Sequence, residues 1–119
     1  MSESELYGEI MGEFSHGNVR IFRQNAGFAW QGEIISRTPA RLILANPRPI
    51  RMGVPGISDL GGWVSLDGIA IYLAIEAKSK RGRLTPEQSA FLELVKRHGG
   101  RAGVARNVED AAKIIRGED

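Results

Sequence analysis

Apolar and polar residues alternate along the first half of the chain with two different periods, which predict a helix followed by strands. Residues 3–14 carry apolar positions at helical spacing, and Ser2 before them can cap the N-terminus of a helix. Residues 19–24 alternate in the manner of a strand, and residues 32–45 form a second extended stretch. The chain therefore begins with a helix and two strands.

A segment rich in proline and glycine separates these strands from the clearest strand in the sequence. Three prolines and four glycines between residues 46 and 62 exclude a long helix and predict an ordered, turning loop. Residues 69–78 follow as a strand whose two faces are both largely apolar as far as Glu76. Such a pattern is typical of a central strand that is covered on both sides.

The second half of the chain predicts a helix, a strand and a last helix. Thr85, Pro86 and Gln88 give a capping box with proline at the first helical position, and Gly99-Gly100 ends that helix. Residues 101–105 read as a short strand, and Asn107 can cap the final helix. The order of helix, three strands, helix, strand and helix indicates an α/β fold in which helices flank a mixed sheet.

Composition narrows the class of protein. At 119 residues the chain suits one domain, spanning residues 1–119, and it has no cysteine for disulfides or thiolate metal sites. No apolar run reaches the roughly 18 residues of a membrane span, so we expect no membrane partner and a location in the cytoplasm. The net charge is only +2. Positive charge is nevertheless concentrated in two clusters, as suits a polyanion such as DNA. The clusters are Arg20, Arg23, Arg37, Arg41, Arg48 and Arg51, and Lys78, Lys80, Arg81 and Arg83.

Candidate chemistry lies at the end of the central strand. Glu76 and Lys78 are two residues apart, so their side chains share one face of the strand. A carboxylate suits Mg²⁺ or Mn²⁺, and an ammonium beside it suits the phosphate and water of phosphodiester hydrolysis. The alternative is an ordinary ion pair between the two side chains. Asp59 brings a second carboxylate to Glu76 only if its loop packs on the strand.

Taken in order, these segments resemble a known nuclease family. Residues 56–60 (Gly-Ile-Ser-Asp-Leu), 76–79 (Glu-Ala-Lys-Ser) and 82–88 (Gly-Arg-Leu-Thr-Pro-Glu-Gln) are similar to the virus-type replication-repair nuclease (VRR-NUC) domain, in its stand-alone bacterial or phage form. Residues 22–27, 99–100, 103–106 and 108–111 extend the resemblance over most of the chain. That domain belongs to the PD-(D/E)XK superfamily, so the resemblance implies a restriction-endonuclease-like fold. Ser58 stands where the superfamily name has proline.

The resemblance also implies the parts of an active site. Asp59 and Glu76 would be metal ligands, with the backbone carbonyl of Ala77 as a third. Lys78 would orient or activate the water, and Gln88 matches a glutamine that the family carries on the following helix. Gln88 is equally explained by its place in the capping box.

Further acids and bases extend this site. Family members place a glutamate of the first helix near the metal, and Glu3 is favoured over Glu5 because it shares the apolar stripe of that helix. The alternative is that Glu3 is a solvent-exposed acid, which the helix dipole favours in the first turn. The expected DNA contacts flank the site. They are Arg23, Asn25, Ser79, Lys80, Arg81 and Arg83.

The sequence thus predicts a Mg²⁺- or Mn²⁺-dependent endonuclease that cleaves branched DNA, such as Holliday junctions, in replication or repair. The resemblance implies a homodimer in the cytoplasm of a bacterium or a phage-infected host. Two alternatives remain open: a DNA-binding module that has lost catalysis, and a sequence-specific restriction-type endonuclease.

Overall fold

The computed structural model describes residues 2–24 and 27–118, and the side chains of residues 27, 28, 51 and 52 are not considered. Three helices and six strands make up this part of the chain. In order they are α1 (Glu3–Phe14), β1 (Val19–Arg23), β2 (Gly27–Thr38), β3 (Arg41–Met52), β4 (Leu60–Leu66), β5 (Ile69–Ala77), α2 (Pro86–Arg97), β6 (Arg101–Ala105) and α3 (Val108–Ile115).

A mixed sheet in the order β1-β4-β5-β6 forms the centre of the molecule. Strand β4 pairs antiparallel with β1 and β5, whereas β5 and β6 run parallel and are joined through α2. Parallel neighbours require such a crossover connection, which the helical segment supplies. The predicted α/β class with a mixed sheet between helices is confirmed.

The sheet separates two layers of core. The larger layer lies between the sheet and helices α1 and α3, and it contains Ile10, Leu60, Leu73 and Ile75, all fully buried. The smaller layer lies on the other face, where α2 packs Leu92 and Val95 against the sheet. Helix α2 covers only the β5–β6 side of its face, so the α2-facing side of β1 and β4 has no helix over it.

Strand β5 is central, as predicted, but it is covered on both sides over only part of its length. Its first residues are exposed, with Ile69 at 67%, whereas the last five residues are all buried. The buried residues Leu73, Ala74, Ile75 and Ala77 belong to the two core layers, whereas Ile69 and Ala70 belong to neither. Apolar residues at the start of the strand therefore do not indicate burial here.

The first half of the chain differs from the sequence prediction, because five strands rather than three precede α2. The single stretch predicted at residues 32–45 is a two-stranded antiparallel sheet, β2 and β3, that turns at residues 39–40. Pro47 and Pro49 lie within β3 although they suggested a loop. Proline is tolerated there because β3 has a hydrogen-bonded neighbour on one side only. A missing N–H group on the open edge therefore removes no hydrogen bond of the sheet.

Strand β4 lies largely where the sequence indicated a loop and the approach to the next strand. It forms a tight hairpin with β5 through Asp67-Gly68, with φ of 52° and 79°. An Asp-Gly pair between apolar runs is a strong hairpin signal, and it would have identified β4 from the sequence.

The predicted helix starts are confirmed by their caps. Ser2, Thr85 and Asn107 each accept a hydrogen bond from a backbone N–H of the first turn, and Thr85 and Gln88 form the complete capping box. These local signals were sufficient because a cap uses only residues within one turn of each other.

Candidate active site

Glu76 is a buried acid at the end of the central strand. Its side chain is only 1% exposed, and Ala77 and Lys78 follow it directly. Its Oε1 atom accepts a hydrogen bond, whereas its Oε2 atom has no partner among the described residues. Because an unpaired buried carboxylate oxygen is costly, this atom calls for a proton or a cation.

Asp59 directly precedes β4, and because Leu60 pairs with Ile75 of β5, Asp59 lies opposite Glu76; the loop before it packs against α2. Gly56 has φ of +78°, and a Cβ atom there would lie 2.1 Å from the carbonyl oxygen of Glu87, so only glycine fits this close approach. The backbone N–H of Gln24 then holds the Asp59 carbonyl at 2.8 Å. The residue whose position sequence reasoning left open therefore lies beside the strand.

The carboxyl group of the half-buried Asp59 interacts with the carboxyl group of the buried Glu76. Burial, followed by the hydrogen bonding and charge of Asp59, raises the pKa of Glu76 to about 8, and the Lys78 ammonium acts in the opposite direction. Two ionised carboxylates have no hydrogen to share, so the metal-free pair retains a proton. A divalent cation can replace that proton, and the orphaned Oε2 atom gives it a ligand; the residues present therefore fit a metal.

A hydrogen-bonded chain fixes the segment that carries Asp59. The buried Ser58 hydroxyl donates to the carbonyl of Leu60 at 2.7 Å and accepts from Gln24 Nε2 at 3.1 Å. Gln24 Oε1 in turn accepts from the Tyr72 hydroxyl at 2.7 Å. Ser58, which departs from the proline of the superfamily name, thus anchors the loop, and the role of Gln24 was not foreseen.

Lys78 extends the site beyond the carboxylates. Its side chain is half-buried and close enough to Glu76 to lower the pKa of that carboxyl. The two ion pairs within the described ranges, Lys96–Glu93 and Arg116–Glu118, lie elsewhere. Glu76 and Lys78 therefore form no ion pair within 4.0 Å, although the Lys78 charge still acts on the Glu76 carboxyl group.

Gln88 combines the two roles that the sequence left open. Its Oε1 atom accepts from the backbone N–H of Thr85 at 2.9 Å, which completes the capping box. Its Nε2 atom donates to Glu76 Oε1 at 3.2 Å. The side chain thus joins the start of α2 to the buried carboxyl group.

Tyr7 is a neighbour of the site that sequence reasoning treated only as core. Burial, and then hydrogen bonding with the Asp59 carboxylate, raises the pKa of the Tyr7 hydroxyl far above its usual range. The guanidinium of Arg23 lies over the Tyr7 ring, 4.4 Å from its centre. The position of Tyr7 on the inward stripe of α1 was visible in the sequence, but its partner Asp59 was not.

Of the two acids considered in the first helix, Glu3 is the one near the site. Its Oε1 atom accepts from the backbone N–H of Ser79 at 3.3 Å, and its charge contributes to the raised pKa of Tyr7. Glu5 instead lies by the helix cap, with the Ser2 hydroxyl at 3.2 Å. In residues 2–24 and 27–118, no three acids or histidines are grouped closely enough to hold a metal, so Glu3 does not complete a three-carboxylate cluster.

The basic loop after Lys78 is held in place by hydrogen bonds from the Arg106 side chain. One guanidinium nitrogen of Arg106 donates to the carbonyls of Ser79 and Gly82, both at 2.7 Å. The side chains of Ser79, Lys80, Arg81 and Arg83 are exposed along this loop. The sequence did not single out Arg106. Its position immediately after β6, the strand that pairs with β5, was the available indication that it lies near the site.

A cleft of about 370 Å³ opens beside the carboxylates, between the end of β1, the Asp59 loop and the first turn of α2. Arg23, Asp59 and Gln88 line it, so the cleft joins an expected DNA contact to the candidate metal ligand Asp59. Asn25, also expected to contact DNA, lies outside the described residues.

A carboxylate pair and a lysine at the end of a central strand, on an α/β fold, are typical of metal-dependent nucleases. Residues 12–109 match the model of the VRR-NUC domain. The chain therefore belongs to the VRR-NUC domain family, and the resemblance drawn from the motifs is confirmed.

This family consists of PD-(D/E)XK-type nucleases, which act on DNA and generally use divalent metals. Searches among curated proteins and among solved structures gave no match. Within the part of the chain that the structure describes, none of the helices is long and apolar enough to span a membrane.

Proposed function

We propose that this protein is a Mg²⁺- or Mn²⁺-dependent endonuclease that hydrolyses phosphodiester bonds in branched DNA. The observation that carries the proposal is the pairing of the half-buried Asp59 with the buried Glu76, whose Oε2 atom has no hydrogen-bond partner among the described residues, with Lys78 beside them. Mg²⁺ is commonly held by one or two carboxylates together with water and substrate phosphate. Two carboxylates are therefore sufficient, and a third acid is not required.

Each residue has a distinct part in the proposed reaction. Asp59, Glu76 and the Ala77 carbonyl would hold the cation, which neutralises the phosphate and makes a bound water more acidic. Lys78 orients that water and stabilises the negative charge that develops on the phosphate. Gln88 keeps the Glu76 carboxyl group in position through the hydrogen bond from its Nε2 atom.

DNA would approach from the cleft side of the sheet. Arg23 lies at the cleft, and Lys80, Arg81 and Arg83 extend from the loop that Arg106 supports. These cations surround the carboxylates with positive charge, which favours a phosphate backbone. We propose Ser79 and Asn25 as further contacts, and Glu3 as an acid that approaches the metal through water.

The biological setting of the proposal is DNA replication or repair. We propose that residues 1–119 act as a single nuclease domain, as a homodimer with two sites for the two strands of a junction. Because DNA is the substrate, the expected location is the cytoplasm of a bacterium or of a phage-infected host.

A cleavage panel tests the proposal. Holliday junctions, flaps, single strands and linear duplexes are incubated with the purified protein in Mg²⁺, in Mn²⁺ and in EDTA. The proposal predicts cuts in branched DNA that require a divalent metal and are lost in Lys78→Gln. Undiminished cleavage by that variant, or cleavage in EDTA, would contradict it.

The same assay separates the two alternatives. A binding module without catalysis would retain DNA affinity, cut nothing and take up no Mn²⁺ in calorimetry; the unpaired Glu76 Oε2 atom argues against it. A restriction-type enzyme would cut linear plasmid DNA into discrete bands, whereas a structure-selective enzyme leaves linear duplexes intact.

A further inference from the structure

Three aromatic side chains lie next to one another on one face of the central sheet, and we call them the aromatic stripe. Trp63 of β4 pairs directly with Tyr72 of β5, and Phe22 of β1 pairs with Gly61, two residues before Trp63. Since residues two apart on a strand share a face, all three rings lie on the same side of the sheet. Phe22, Trp63 and Tyr72 are 46%, 41% and 38% exposed, and the first two rings meet edge to face at 6.1 Å.

The aromatic stripe is exposed because none of the described helices covers it. Helix α2 packs on this side of the sheet, but its buried residues Leu92 and Val95 lie against Ala74 and Ala102 of β5 and β6. Strands β1 and β4 lie beyond the strands that α2 covers. Large exposed apolar side chains that contact one another mark a site of interaction.

The aromatic stripe is continuous with the cleft beside the carboxylates. The Tyr72 hydroxyl donates to Gln24 Oε1 at 2.7 Å, and Gln24 lines the cleft together with Arg23 and Asp59. Trp63 lies four residues after Asp59, which is about 13 Å along an extended chain. A DNA strand advances about 3.4 Å per stacked nucleotide, so about four nucleotides span that distance. A strand whose phosphate lies at the cleft therefore extends onto the stripe.

The charge on this side of the sheet suits a nucleic acid. Arg20 pairs directly with Trp63, so its side chain lies on the same face as the stripe. On the described strands β1 and β4, that face carries Arg20 and no acidic residue. Proteins that bind single-stranded nucleic acid combine cations that follow the backbone with aromatic rings on which the bases stack. The stripe has both components.

Unpaired nucleotides are the part of a DNA substrate that aromatic rings on a sheet can bind. In a duplex the faces of the bases are covered by their neighbours, whereas unpaired bases can be splayed out and stacked on aromatic side chains. A four-stranded sheet whose exposed aromatic side chains stack two or three bases is an established way of binding single strands. The central sheet of this chain has four strands and carries the stripe on an uncovered face.

We propose that the aromatic stripe binds unpaired nucleotides of the DNA substrate by base stacking and holds that strand beside the cleft. The inference rests on the proposed nuclease function and names the part of the branched substrate that this chain recognises. Stacking is tolerant of sequence, because every base has a π-face. The stripe therefore selects DNA by its structure rather than by its sequence.

Tryptophan fluorescence measures stacking on Trp63 directly. The chain has two tryptophans, so Trp30→Phe leaves Trp63 as the single tryptophan. This variant is titrated in EDTA, without cleavage, with a short oligothymidylate strand and with a blunt duplex of the same length. We expect saturable quenching by the single strand and a markedly smaller change with the duplex. A folded variant whose fluorescence the single strand does not quench would overturn the proposal.

The affinity for a flap DNA with a labelled single-stranded tail, measured by fluorescence anisotropy in EDTA, gives the contribution of each ring. Phe22→Leu and Trp63→Leu keep an apolar side chain but remove the ring, and each should weaken binding about fivefold or more. Trp63→Phe keeps a ring and should bind within about twofold of the wild type.

Ile69→Ala is the matched control for these variants. Ile69 is 67% exposed on β5, but it lies three residues from Tyr72 and therefore on the other side of the sheet. It should bind the tail as the wild type does. Circular dichroism and thermal melting check that each variant is folded.

Three outcomes would overturn the stripe as the binding site for unpaired nucleotides. They are wild-type affinity in both Phe22→Leu and Trp63→Leu, an equal loss of affinity in Ile69→Ala, and an equal loss on a blunt duplex. Because binding is measured without cleavage, such a failure is distinct from a failure of the proposed nuclease function. A protein that binds the tail as expected but cuts no DNA would contradict the nuclease function alone.

Discussion

Gln88 connects the cap of helix α2 to the buried acid of the central strand. Its Oε1 atom accepts from the Thr85 N–H at 2.9 Å, while its Nε2 atom donates to Glu76 Oε1 at 3.2 Å. A glutamate at this position would preserve the cap, since both residue types complete a capping box, but would lose the donor. The two roles can therefore be separated by mutation.

We predict that Gln88→Glu slows DNA cleavage by about tenfold or more, because a hydrogen bond to a charged group contributes about 1.5–3 kcal/mol. The helix cap should remain, whereas a second carboxylate beside the buried Glu76 should lower the melting temperature of the metal-free protein. The measurement is single-turnover cleavage of junction DNA together with thermal melting.

Thr85→Ala is the complementary control for Gln88→Glu. It should lower the free energy of unfolding by about 1 kcal/mol through loss of the cap. It should slow cleavage less than Gln88→Glu does. Wild-type cleavage by Gln88→Glu would show that Gln88 acts only as a capping residue.

The raised pKa of Glu76 predicts an unusual dependence of stability on pH. Between its ordinary value of 4.5 and about 8, the folded metal-free protein keeps a proton that the unfolded chain has lost. Stability should therefore fall as pH rises through this window. The Glu76→Gln side chain cannot ionise. Measured in chelator, the melting temperature of the wild type should therefore fall relative to that of Glu76→Gln as the pH rises from 5 to 8. Parallel curves for the two proteins would contradict the pairing of the buried Glu76 with Asp59.

Tyr7 should position Asp59 without taking part in the chemistry. Tyr7→Phe keeps the buried ring and the Arg23 contact at 4.4 Å but removes the hydroxyl that interacts with Asp59. We expect cleavage to slow by about fivefold, in line with one lost hydrogen bond, and Mn²⁺ affinity to fall with it. Raising Mn²⁺ should restore part of the rate, whereas a purely structural role would lower stability and leave the metal dependence unchanged.

The parts of the site that lie within one element could be predicted from the sequence. Glu76 and Lys78 share a strand face because strands repeat every two residues, and Gln88 follows from a capping box that spans one helical turn. Asp59 lies opposite Glu76 because the Asp67-Gly68 turn sets the register of the β4–β5 hairpin, which pairs Leu60 with Ile75. The family resemblance was the signal that indicated Asp59, although the turn would also have placed it once β4 was recognised.

The β2–β3 hairpin shows where local sequence rules gave a wrong prediction. Pro47 and Pro49 are strong loop signals, yet they lie in β3, whose outer edge needs no N–H donors. Conversely, the Asp67-Gly68 pair is a sufficient signal for a hairpin that contains β4. The glycines and prolines before it suggested a loop instead, so β4 was not predicted. Tyr7, Gln24 and Arg106 escaped prediction because each acts through a partner distant in sequence.

The central claim is that Asp59 and Glu76 together hold the metal that the nuclease requires. Asp67 provides a matched control, because Asp67→Asn makes the same chemical change in the β4–β5 turn, where φ is 52° and asparagine is well tolerated.

The most direct test is the rate of Mg²⁺-dependent cleavage of a four-way junction by wild type, Asp59→Asn and Asp67→Asn. We predict that Asp67→Asn cuts at the wild-type rate and that Asp59→Asn is slower by about a hundredfold or more. Equal rates for all three proteins would contradict the assignment.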